Sequence, residues 1–139
     1  MRARMLFRLT GSLMVIRQGT EAASEHEWRD LLAELGQQDF TKLRVLIATD
    51  GGGPSAQQRA SLKETIAGRS VRTAVVSDSI KVRFTIATIA LINREHHGFS
   101  NRERNQAYDF LQLTPAERGD AEGVLQQLGE LLQDRGPVA

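Results

Sequence analysis

The stretch Thr49-Asp50-Gly51-Gly52-Gly53-Pro54-Ser55 is the most conspicuous pattern in the chain that could do chemistry. Consecutive glycines let a backbone turn its N–H groups toward one point, and a helix opening at Ser55 would add a partial positive charge. The loop is therefore a candidate cradle for an anion. It is not a nucleotide P-loop, because no Gly-Lys-Ser/Thr follows. The plainer role of the same residues is a tight strand-to-helix turn with Ser55 as the cap. Asp50 and Asp78 each fall at the carboxyl end of an apolar, strand-like run, and Ser77 and Ser79 flank the second. Open α/β sheets bind ligands at such ends. Asp50, Gly51, Gly52, Gly53, Ser55, Ser77, Asp78 and Ser79 are thus the candidate ligand- or anion-binding residues. Two carboxylates could share acid–base work, but no nucleophile with an adjacent base accompanies them. No catalytic residue is assigned, and turn or capping roles suit both aspartates.

The chain has three imidazoles, His26, His96 and His97. The adjacent pair would diverge in a strand, so no metal site is expected, and the two read as a solvent-facing loop pair. With no cysteine, a disulfide framework, a thiolate metal site and a cysteine nucleophile are all excluded, and a reducing, cytoplasmic setting is the expectation. A formal net charge of +1 supplies no field that would predict nucleic acid or an anionic membrane as partner. No cofactor is implied, and the chain reads as a non-enzyme. Arg8 and Gly11 interrupt the apolar core a signal peptide would need after Arg2 and Arg4, and no run approaches a membrane span.

At 139 residues the expectation is one domain, able to bury roughly two-thirds of the surface of its unfolded form. Apolar runs at Met5–Leu9 and Leu13–Ile16 flank Thr10-Gly11-Ser12, predicting a β-hairpin or one bent strand. Ser24 with Glu27 makes a capping box ahead of Trp28, Leu31, Leu32 and Leu35 at helical spacing, with Gly36 as the stop. Leu43–Ala48 and Thr73–Val76 are nearly continuous apolar runs, as in strands covered on both faces, and Ser55 with Gln58 opens a helix between them. This alternation predicts right-handed crossovers and adjacent, parallel central strands. Ile80–Ile92 fits either period and is assigned as a helix on length and position. A short strand near Gly98, a helix capped by Ser100 and Glu103, and a terminal helix follow. The last opens at Thr114-Pro115-Ala116-Glu117, carries Val124, Leu125, Leu128, Leu131 and Leu132, and stops at Gly136-Pro137.

The order of elements, with the strings Arg44-Val-Leu-Ile-Ala-Thr-Asp-Gly-Gly-Gly-Pro-Ser55 and Arg72-Thr-Ala-Val-Val-Ser-Asp-Ser79, resembles the SpoIIAA-like branch of the STAS/Sec14-type superfamily over residues 5–113. The resemblance implies a mixed, mainly parallel sheet of four or five strands with helices packed mainly on one side. It also implies roles in regulatory protein contacts or, in some relatives, lipid or nucleotide binding. The Asp-Ser-Ser/Ala-Gly type of motif phosphorylated in anti-anti-sigma factors has no counterpart after Thr49, which argues against a phosphorylation switch there. Residues 114–135 lie beyond the pattern and read as an added amphipathic helix.

The Ile80–Ile92 helix is apolar nearly all round, and Lys81, Arg83, Thr85 and Thr88 make no continuous wet face. One sheet face cannot cover it, so Ile80, Phe84, Ile86 and Ile89 are candidate interface residues. The covering group is a second copy of the chain, another protein, a lipid or the terminal helix folded back. Two readings follow. One is a regulatory interaction module, self-associating or binding a partner protein; the other is a small-ligand or lipid-binding domain using the glycine loop.

Overall fold

The computed structural model describes residues 2–134; the expected Gly136-Pro137 stop lies outside them. Five strands, β1 (Met5–Thr10), β2 (Leu13–Gln18), β3 (Arg44–Thr49), β4 (Arg72–Val76) and β5 (His96–Phe99), form one sheet in sequential order. β1 and β2 are an antiparallel hairpin joined by Gly11 and Ser12, and every later neighbour pairs in parallel. The predicted adjacent parallel pair is β3 and β4, in the register Arg44 opposite Arg72 and Ala48 opposite Val76.

Each parallel step carries a crossover helix: α1 (Glu25–Gly36), α2 (Ala56–Ile66) and α3 (Ile80–Ala90). The starts of α1 and α2 are locally encoded. Ser24 Oγ accepts from the Glu27 amide while the Glu27 carboxylate accepts from the Ser24 amide, and Ser55 and Gln58 repeat the arrangement on α2. Because the strand order advances in one direction, like-handed crossovers leave α1, α2 and α3 on the same face. There Met14, Ile16, Val45, Ile47, Val71 and Ile66 pack with Leu31 and Leu35 of α1.

The opposite face is also covered, which corrects the expectation of helices mainly on one side. Helices α4 (Arg104–Phe110) and α5 (Pro115–Asp134) lie there. Ala107, Tyr108, Leu111, Ala121, Leu125 and Leu128 pack on Leu13, Val15, Leu46, Ala48, Ala74 and Val76. Residues alternating along each strand thus feed two cores, which is why the central strands are apolar without interruption. Pro115 takes the first helical position of α5, and Thr114 and Glu117 cap it reciprocally. Glu117 also pairs with Arg44 at the start of β3. The hydrogen bond from Arg44, then the Thr114 amide, holds its carboxyl down at about 2.

Candidate functional site

At the carboxyl ends of β3 and β4 the glycine loop meets Ser79, where a Cβ on Gly51 would lie 3.4 Å from Ser79 Oγ, while the two candidate carboxylates bond elsewhere. Asp50 receives both hydrogen bonds from Arg17 Nη2 of β2, at 3.1 and 3.0 Å. Asp78 accepts from the amide and the Nδ2 of Asn101, at 3.0 and 2.9 Å, just past β5. The Asn101 side chain first, then its amide, lowers the Asp78 carboxyl below its ordinary value. The two carboxylates are therefore engaged on opposite neighbours. Ser77 Oγ accepts from the Ser79 amide, and Ser79 stands at the N-cap of α3 without a side-chain cap bond. The Asp78 side chain does not cap α3, the role the sequence offered it, but ties the β4–α3 turn to the segment after β5. Ser77 and Ser79 do share the wall of an open cleft of about 320 Å³ with Arg83, Ile86 and Glu103.

The glycine loop is built for close packing. The Gly51 amide donates to Thr49 Oγ1 at 3.2 Å and the Gly52 amide to the Gly19 carbonyl at 2.9 Å. The Ser55 amide is taken by Gln58 Oε1. The Gly51, Gly52 and Ser55 amides are therefore engaged within the protein and do not serve an anion cradle. The need for glycine is steric. A Cβ on Gly52 would sit 2.2 Å from the carbonyl oxygen of Glu21, and one on Gly53 would meet the Thr85 side chain at 3.1 Å. The β2–α1 loop, the β3–α2 loop and α3 thus meet at this point.

Helix α3 divides sharply. Val82 and Ile89 are buried, and Ile86 reaches so close to β5 that a Cβ on Gly98 would lie 2.4 Å from its Cδ1. Glycine inside a strand here permits the close approach of a helix. On the other side Ile80 is 73% exposed and Phe84 75%, and Leu91 just past the helix is 89% exposed. Of the four candidate interface residues, Ile80 and Phe84 face outward, whereas Ile86 and Ile89 belong to the packing against the sheet. Leu91 was missed because it follows the helix's apparent apolar centre; its spacing of seven from Phe84 was the available signal. Helix α5 packs on the far face of the sheet and does not cover α3.

His96 and His97 lie in β5, on opposite faces. The His97 ring meets that of Phe110 with centroids 4.7 Å apart and the planes tilted by 53°. His96 is only 7% exposed, so the reading as a solvent-facing pair fails for it. Burial first, and the neighbouring His97 second, push its imidazole down to about 4, leaving it neutral at pH 7. No helix among the described residues is long and apolar enough to cross a membrane. No protein-family model matches the chain, and no curated protein matches it significantly.

Proposed function

We propose that the chain is a non-enzymatic interaction module whose α3 docks an amphipathic helix of a partner protein. The observation that carries this reading is the row Ile80, Phe84 and Leu91, large apolar side chains left in water at one end of an otherwise well-packed domain. With the exposed Ala87 they follow a 4–3–4 spacing, the seam of a helix-on-helix contact. Lys81 and Arg83 flank the row, Glu103 lies in the field of Arg83, and α3 has no acidic residue of its own. Acidic flanks on the incoming helix complement this surface, whereas a second copy would set basic flanks against basic flanks. Regulatory protein contact is also what the SpoIIAA-like resemblance implies, and it accompanies this proposal as a fold-level companion.

The test uses two synthetic amphipathic helices with identical leucine seams, one flanked by glutamate and one by lysine. The glutamate peptide should bind at least about tenfold more tightly, as expected for complementary rim charge, and Phe84→Glu should abolish its binding without moving the unfolding midpoint. Equal binding of both peptides, or binding indifferent to Phe84→Glu, refutes the assignment. A wild-type dimer in light scattering that Phe84→Glu dissociates replaces the partner helix with a second copy.

A further inference from the structure

Strand β1 is an edge of the sheet, with β2 as its sole strand neighbour among the described residues. The backbone bonds around it fix which of its groups are free. Ser12 and Gln18 give their carbonyls to the amides of Arg44 and Asp50, so the even-numbered residues of β2 point to β3 and the odd-numbered ones to β1. The Gly19 amide donates to the Arg4 carbonyl, which in the β1–β2 register sets Leu6, Arg8 and Thr10 toward β2 and Met5, Phe7 and Leu9 outward. The Met5 amide agrees, reaching Glu27 Oε2 of α1 at 3.5 Å. The outward amides and carbonyls of Phe7 and Leu9 have no partner among the described residues. Nothing in β1 blunts this edge. It has no proline, its register with β2 is unbroken by a bulge, and its one charge, Arg8, hydrogen-bonds Gln127 of α5.

We infer that β1 pairs antiparallel with β1 of a second copy, with Phe7 on the two-fold axis. The register follows from the free groups. Phe7 is the middle one of three evenly spaced outward residues, so a dyad there is the one position at which each faces another: Phe7 against Phe7, and Met5 against Leu9. A dyad on Arg8 would leave Met5 unpaired and set two guanidinium groups against each other. Met5, Phe7 and Leu9 all pack on the α1–α3 side of the sheet, Met5 buried and the other two only partly covered. Pairing about Phe7 therefore continues that apolar layer across the joint. The occupant is a second copy because the edge calls for apolar side chains at alternate positions around a central aromatic, and β1 itself carries that pattern. The joint lies at the β1 end of the sheet, whereas α3 packs on β5 at the other end, so it stands or falls separately from docking at Phe84.

A single pair of strands is at the small end of specific contacts, so the expected Kd is on the order of 100 μM. Light scattering on the whole chain should show mainly monomer at about 10 μM and mostly dimer at about 1 mM, and Phe84→Glu should not change this. Exchange of the Phe7 and Leu9 amides with water should slow about two- to threefold between about 0.1 and about 1 mM, as the monomer fraction falls, while the Leu6 and Arg8 amides stay slow at both. Leu9→Pro removes an outward amide and no bond to β2, so it should leave a folded monomer at every concentration. If that variant does not fold, Phe7→Lys, which sets two like charges on the dyad, should do the same. A chain still monomeric at about 1 mM, Phe7 and Leu9 amides whose exchange ignores concentration, or a dimer that survives Phe7→Lys or that Phe84→Glu dissociates would overturn the inference.

Discussion

His96 shows how far a residue's chemistry depends on what surrounds it. Its imidazole is held at about 4 against an ordinary 6.5. Between those values an unfolded chain binds the proton that the folded chain refuses, so stability is complete above pH 6.5 and is lost as pH falls toward 4. The full shift corresponds to about 3 kcal/mol. Glu117, held at about 2 against 4.5, begins to lose its own contribution only below 4.5, which leaves the upper window to the histidine. Unfolding midpoints taken from pH 7.5 down to 4.5 should therefore decline, and His96→Leu should flatten the decline; an unchanged slope in the variant would count against a buried neutral imidazole. Asn93 makes the second residue-scale case. It is 2% exposed, its Oδ1 accepts from the Val71 amide at 3.0 Å, and its Nδ2 donates to the Val71 carbonyl at 2.8 Å. Asn93→Ala would strand the Val71 amide and leave its carbonyl with the Thr73 hydroxyl alone, and chemical denaturation should show a loss of about 1–3 kcal/mol.

At the scale of elements, α3 differs from α1 and α2 because its two faces meet different surroundings. Ile89 is 4% exposed and packs toward the sheet, while Phe84 stands in water. A charge at the first position would be buried without a partner, at a cost of several kcal/mol; at the second it would simply be solvated. Ile89→Glu should therefore abolish cooperative unfolding, whereas Phe84→Glu should leave the midpoint within a few degrees of wild type. If both variants unfold alike, the outward placement of Phe84 is wrong. The glycine loop is also an element-scale feature, because Gly52 is required by the carbonyls of another loop and not by the turn it sits in.

For the molecule as a whole, α5 is the element whose standing changes most between sequence and structure. Residues 114–135 read as an appendage, yet Ala121, Leu125 and Leu128 close the core, with α5 lying over β1 and β2. Arg44 and Glu117 fasten the start of that helix to β3. Truncation after Leu113 would uncover the β1–β2 side of that sheet face and leave α4 alone over β4 and β5. The truncated chain should lose its cooperative thermal transition and bind hydrophobic dyes, as expected for a domain left with a few kcal/mol or less of net stability. A truncated chain that melts cooperatively near the wild-type temperature would restore the appendage reading.

Much of this architecture is legible along the chain. The capping boxes at Ser24, Ser55 and Thr114 and the unbroken apolar runs in β3 and β4 act over a few residues, and each reappears where spacing predicts it. Short-range hydrogen bonding and side-chain periodicity are properties of neighbours, so a sequence states them directly. The tertiary structure decided the rest: which side of α3 faces water, that Asp50 turns to Arg17 while Asp78 turns to Asn101, and that the Gly52 amide is taken by the Gly19 carbonyl. It also decided that His96 and Trp28 both line one small cavity between the sheet and α1–α3. Each of these depends on partners 20 or more residues away, such as Arg17 with Asp50 at a separation of 33 and Asp78 with Asn101 at 23. Exposure and hydrogen-bond satisfaction are set by whatever packs against a residue, and only the closed sheet with helices on both faces brings those groups together.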